Sequence, residues 1–74
     1  MAAIAERVAA EHDLTLSDLR RGGRERVYSW PRQVAMAAMR DAGYSLSQIG
    51  RFMSGRDHST VSYGVKRARE RAAS

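Results

Sequence analysis

The run from Ser45 to Arg71, SLSQIGRFMSGRDHSTVSYGVKRARER, constrains this chain most, because it encodes two capped helices with only a tight turn between them. Ser45 with Gln48 fits a capping box, in which the hydroxyl accepts from a free backbone amide and the Gln side chain reaches back to the cap residue. A helix is predicted from about Leu46. Asp57, just after Ser54, Gly55 and Arg56, is placed to cap a second helix from about His58, and its carboxylate suits the positive end of the helix dipole. At about 100° per residue, Val61, Val65 and Ala68 share one stripe of that helix, while His58, Ser59, Ser62, Lys66 and Arg69 gather on another face. Helix, short glycine turn, helix is the pattern that lays its second helix in the major groove of DNA. Ordinary helical hairpins share it, so charge must decide.

Thirteen Lys and Arg against eight Asp and Glu leave the chain at +5, and the charge is unevenly spread. Residues 1–19 carry one cation against four acids, a net −3, whereas residues 20–74 carry +8. Twelve of the thirteen cations are arginine, whose planar fork matches phosphates and guanine edges. The basic balance therefore points to a polyanionic partner.

Elsewhere the pattern is helical. Ile4, Val8 and the alanines between them predict a first helix over about Ala2 to Glu11. Leu14, Leu16 and Leu19 follow, with Thr15 or Ser17 as the cap of a short turn reaching Arg20, and Gly22 with Gly23 ends it. RRGGRER reads as a flexible basic loop in which Arg20, Arg21, Arg24 and Arg26 flank two glycines, a composition that lets backbone approach phosphates or an arginine enter a minor groove. Pro31 suits a helix start and Gly43 the left-handed residue past its end, so a long helix is expected from about Pro31 to Ala42. Its apolar face is Val34, Ala35, Ala38 and Met39, leaving Arg32, Gln33 and Arg40 outside; Met36 and Met39 read as core filler. Ile49, Phe52 and Met53 should turn inward, and the tail after Arg69 should fray.

Several chemistries are excluded. With no cysteine there is no disulfide or thiolate metal site, and His12 and His58 have no partner at ligand spacing, so no metal is expected. Gly50 and Gly55 imitate the start of a phosphate-binding loop, but Arg56 and Asp57 replace its Lys and Ser/Thr and no strand precedes it. These glycines read as helix contact and turn, and no nucleotide or other cofactor is expected. Asp57, His58 and Ser59 are catalytic residue types in a row, yet helical neighbours point in different directions and cannot form a relay, so no catalytic residue is assigned and no enzyme is expected. No apolar run approaches the roughly 18 residues that span a bilayer, which implies no membrane partner and a cytoplasmic, nucleoid-associated protein.

The segment WPRQVAMAAMRDAGYSLSQIGRFMSGRDHSTVSYGVKR resembles the C-terminal DNA-binding domain of the bacterial replication initiator DnaA. That family's hallmark is a Gly, Arg, Asp, His, Thr, Thr, Val run, here Gly55 to Val61 with Ser59 in the fifth place. Pro31, Arg32 and Gln33 opening a long helix and the Ser, Leu, x, x, Ile, Gly start at Ser45 also match. The resemblance implies an all-α fold, a small helical domain with a helix-turn-helix motif of the Trp-repressor-like kind, with residues 1–74 forming a single domain.

It further implies that Asp57, His58 and Ser59 face bases in the major groove, while Arg32, Gln33, Thr60 and Arg67 hold phosphates. The Thr60 methyl can also meet a base edge, and Asp57 can accept from a cytosine amino group. Ser62 and Lys66, on the outward face derived above, join the phosphate set. Ser59 keeps the hydroxyl of the family's Thr and loses its methyl. The family's minor-groove Arg aligns with Gly23, which passes that role to Arg21 or Arg24. The expected function is sequence-specific binding of double-stranded DNA at DnaA-box-like sites by a monomer. If the 74 residues are a whole protein, no ATPase is attached and the chain would act as a regulator or phage-type factor competing with a full-length DnaA. The alternative of another class is a protein-interaction module that docks its basic face onto a replication or transcription assembly.

Overall fold

The computed structural model describes residues 1–73, which form five α-helices and, among the described residues, no strand. They are α1 (Ala2–Glu11), α2 (Leu16–Arg21), α3 (Arg26–Asp41), α4 (Leu46–Phe52) and α5 (His58–Ala73). Helix α3 is the spine: α5 packs along it most extensively, α1 lies against it, and α4 closes onto α5. The core between them holds Leu19, Met36, Met39, Ile49, Met53 and Val61 fully buried. Ala5, Val8 and Ala9 bring α1 into the same cluster, and Val65 extends it along α5.

Local chemistry sets the ends. Ser45 Oγ accepts from the Gln48 amide at 3.0 Å and Gln48 Oε1 accepts from the Ser45 amide at 2.8 Å, the reciprocal box read from sequence. Of the two candidates for α2, Thr15 is the cap: it accepts from the Asp18 amide at 3.0 Å, and Asp18 accepts from the Thr15 amide at 3.1 Å. Gly43 closes α3 with φ +104°, as expected for the residue past a helix end.

Three expectations are corrected. Helix α3 starts at Arg26, not Pro31, so the proline sits a turn and a half inside it. Only the Val27 carbonyl loses its partner four residues on, and that loss is confined to the exposed helix start. The basic loop is thereby shortened to residues 22–25. Val34 is exposed: α3 turns Arg32, Ala35, Met36 and Met39 inward, with Met36 facing Gly64 of α5, so the buried stripe keeps the two methionines read as core and leaves Val34 outside it. The tail after Arg69 is helical to Ala73 and held down: Arg71 Nη1 donates to Gln33 Oε1 at 2.7 Å and its guanidinium lies 4.6 Å from the centre of the Trp30 ring.

The turn between α4 and α5 contains Ser54 at φ +64° followed by Gly55 at φ +75°. A left-handed backbone is natural for glycine and costs a serine about 1 kcal/mol. Ser54→Gly is therefore expected to raise stability by about 0.5–1 kcal/mol, read as a rise in urea midpoint with unchanged slope.

Candidate nucleic-acid interface

The first turn of α5 is presented outward. Asp57 Oδ1 accepts from the Ser59 amide at 2.8 Å, capping the helix and fixing where it begins. Asp57, His58, Ser59 and Thr60 are all exposed, the side chains of His58 and Asp57 by 68% and 69%. His58 Nδ1 lies 3.6 Å from Asp57 Oδ1, too long for a hydrogen bond, so the ring is not held back by its neighbour. Behind them Val61, Val65 and Ala68 are buried, which locks the rotation of α5 about its axis and so decides which residues face out.

The flanking residues fall into two groups. Thr60 lies with Gln33, Arg32 and Tyr63 along a narrow cleft between α3 and α5, where Gln33 is half-buried and engaged by Arg71. Ser62 and Lys66 are exposed on a different groove, floored by Leu46 and Val65 and bordered by Arg40. Arg67 is exposed and pairs with Glu70 at 3.2 Å. Arg21 and Arg24 are exposed at the end of α2 and on the loop after it, and no hydrogen bond or ion pair joins either to α5.

Arg32 differs from its sequence-based placement. It is only 8% exposed rather than lying outside the apolar face. Its Nε donates to the Leu19 carbonyl at 2.9 Å, and its Nη2 to the carbonyls of Gly22 and, at 3.3 Å, Gly23. The Leu19 and Gly22 carbonyls lie at the C-terminal end of α2, where they have no partner within the helix and face the negative end of its dipole, and the Gly23 carbonyl lies just beyond it. Arg32 is thus committed internally, and it fixes the path of the loop that carries Arg24.

The sequence marked no role for Arg56 and placed Arg20 in the basic loop facing phosphates, yet Arg20 belongs to α2 and both arginines join helix ends. Arg56 Nη1 donates to the Arg20 carbonyl at 2.7 Å and to the Met53 carbonyl; Arg20 Nε donates to the Phe52 carbonyl at 2.7 Å with its guanidinium over the Phe52 ring. The turn before α5 is in this way tied to α2. Desolvation lowers the pKa of Arg32 below the usual arginine range, with the Arg56 charge adding to it, and desolvation lowers that of Arg56 likewise. Backbone carbonyls rather than carboxylates stabilise both cations. A polar residue inside a buried stripe, as Arg32 is at the register of Ala35 and Met39, was the available signal.

Residues 1–68 match the family model described as the bacterial dnaA protein helix-turn-helix. This chain belongs to the bacterial DnaA helix-turn-helix family. It is a DNA-binding helix-turn-helix domain of a DNA replication initiator family. It is 44% identical over 68 residues to the chromosomal replication initiator protein DnaA of Roseobacter denitrificans, covering 90% of this chain and 15% of that protein. The DnaA of Ruegeria pomeroyi is also 44% identical over 68 residues, with 90% and 14% covered, and that of Roseiflexus castenholzii is 42% identical over 69 residues, with 92% and 14% covered. The chain thus spans 14 to 15% of the length of these DnaA relatives. No solved structure matches it. Among the described residues of this DnaA-family domain, no helix is long and apolar enough to cross a membrane.

Proposed function

We propose that the chain binds duplex DNA sequence-specifically at DnaA-box-like sites, with the first turn of α5 in the major groove. The observation that carries this reading is the outward, capped Asp57-His58-Ser59-Thr60 turn backed by a buried Val61, Val65 and Ala68 stripe. Asp57 has a second carboxylate oxygen for a cytosine amino group, His58 and Ser59 offer ring nitrogen and hydroxyl to base edges, and the Thr60 methyl meets a thymine methyl. Ser62, Lys66, Arg67 and Gln33 hold the sugar-phosphate rails, and Arg21 or Arg24 reaches the minor groove. Arg32 supports the same interface from inside, by holding the loop. Residues 1–74 act as one DNA-binding domain, monomeric on an asymmetric site, whose occupancy competes with a full-length DnaA at the same boxes.

Fluorescence anisotropy with a box-containing duplex and a scrambled one tests this. The chain is expected to prefer the box, and binding to both should weaken steeply as salt rises. In His58→Ala, the preference should fall about tenfold while affinity for the scrambled duplex is nearly unchanged. Equal affinity of the unsubstituted chain for the two duplexes would defeat the reading.

A further inference from the structure

Eight of the thirteen cations have a partner within the molecule, Arg67 among them through an exposed pair that leaves it within reach of DNA. Arg20, Arg32, Arg40 and Arg56 donate to backbone carbonyls, Arg67 and Arg69 pair with Glu70 and Asp41, and Arg26 and Arg71 lie against Trp30. Among the described residues, five of the cations have no hydrogen bond, ion pair or ring contact: Arg7, Arg21, Arg24, Arg51 and Lys66. Arg7 belongs to the acidic first segment. Arg21, Arg24 and Lys66 are already part of the proposed interface. Arg51, which no sequence motif marked, remains.

Arg51 lies exposed in the last turn of α4, on the face it shares with Ser47 one turn earlier and away from the buried Ile49 and Met53. A shallow cleft of about 270 Å³ separates this face from the first turn of α5, lined by Ser47, Arg51, Gly55, Arg56, Asp57 and His58. The guanidinium of Arg56 is turned inward to the Arg20 and Met53 carbonyls, so Arg51 is the uncommitted cation of the cleft. Asp57 does not neutralise it: no ion pair joins them, and Asp57 Oδ1 is taken by the Ser59 amide.

In a helix-turn-helix docked through its second helix, the first helix crosses the DNA backbone. We infer that Arg51 binds a DNA phosphate flanking the base pairs met by Asp57 and His58, giving α4 a direct anchor on the duplex. This rests on the DNA-binding reading above and assigns to α4 a contact that fixes docking without choosing sequence. An arginine is suited to it because its fork grips two phosphate oxygens and its charge releases condensed counterions.

The test is the salt dependence of binding by Arg51→Ala and Arg51→Lys beside the unsubstituted 74-residue chain, on box and scrambled duplexes. Arg51→Ala should weaken both duplexes by a similar factor, about five- to tenfold, and lower the slope of log affinity against log salt by about 0.9. Arg51→Lys should keep the slope. Replacing the flanking phosphate by a neutral methylphosphonate should weaken the unsubstituted chain and leave Arg51→Ala unaffected. Unsubstituted binding with an unchanged slope in Arg51→Ala would overturn this inference alone, as would a loss confined to the box duplex, which would mark a base contact. No duplex binding by the unsubstituted chain would overturn the parent reading as well.

Discussion

Gly50→Ala is expected to lower stability by about 3 kcal/mol, a large share of what a chain this small possesses. A Cβ at position 50 would lie 2.1 Å from the Arg56 carbonyl oxygen, and no rotamer relieves a contact between a Cβ and backbone. The turn folds this close because the Arg56 amide donates to the Gly50 carbonyl at 2.9 Å, holding the end of the turn over α4. Opening it by the ångström the new methyl needs would break that bond and draw Arg56 away from the Arg20 and Met53 carbonyls. It would also displace the Asp57 cap that aims the first turn of α5. Alanine gains about 1 kcal/mol of helix propensity over glycine, which offsets only part of the cost. Thermal unfolding followed by circular dichroism should show a midpoint roughly 12–20 °C lower, and box binding should fall with it. A midpoint within a few degrees of the unsubstituted chain would show that the turn yields without loss.

The second large effect is expected at Arg32. Truncation to alanine removes the donors to the Leu19, Gly22 and Gly23 carbonyls at once, leaving the C-terminal end of α2 without its charged cap. Charge-assisted bonds of this kind contribute more than neutral ones, and the orphaned carbonyls add their own penalty, so a loss of about 2–3 kcal/mol is expected. Relief of repulsion on Arg56 offsets a small part of it. Arg32→Lys should recover little, because an ammonium cannot span carbonyls that a planar fork reaches together. The loop carrying Arg24 would loosen, so affinity for box and scrambled duplexes should fall together. Chemical denaturation separates this from a direct phosphate contact: unchanged stability with weakened DNA binding would place Arg32 on the duplex.

Much of this could be read without coordinates because it is written in local chemistry. The capping box at Ser45 and Gln48, the Asp57 cap, the left-handed Gly43 and the Val61, Val65, Ala68 stripe depend on residues within a turn or two of one another, and each has the geometry its spacing implies. The outward direction of Asp57 to Thr60 follows from them, since burying one stripe of α5 exposes the other. Local rules misled where a long-range partner outweighed them. Pro31 marks a helix start on its own, yet α3 extends back to Arg26, so that Trp30 meets Arg26 at 5.2 Å and Arg71 at 4.6 Å.

Hydrogen bonds and periodicity act over a few residues, so the amino-acid order alone sets the succession of the helices, the caps of α4 and α5 and the face of α5 turned to solvent. Long-range packing selects which of twelve chemically identical guanidiniums hold the molecule together and which are left for a polyanion. Arg20, Arg32 and Arg56 are inward because packing α2 against α3 and α4 leaves helix-end carbonyls that must be satisfied, whereas Arg21, Arg24 and Arg51 meet no such acceptor. An arginine's role is set by the acceptors that the fold brings within its reach, and no spacing along the chain encodes them.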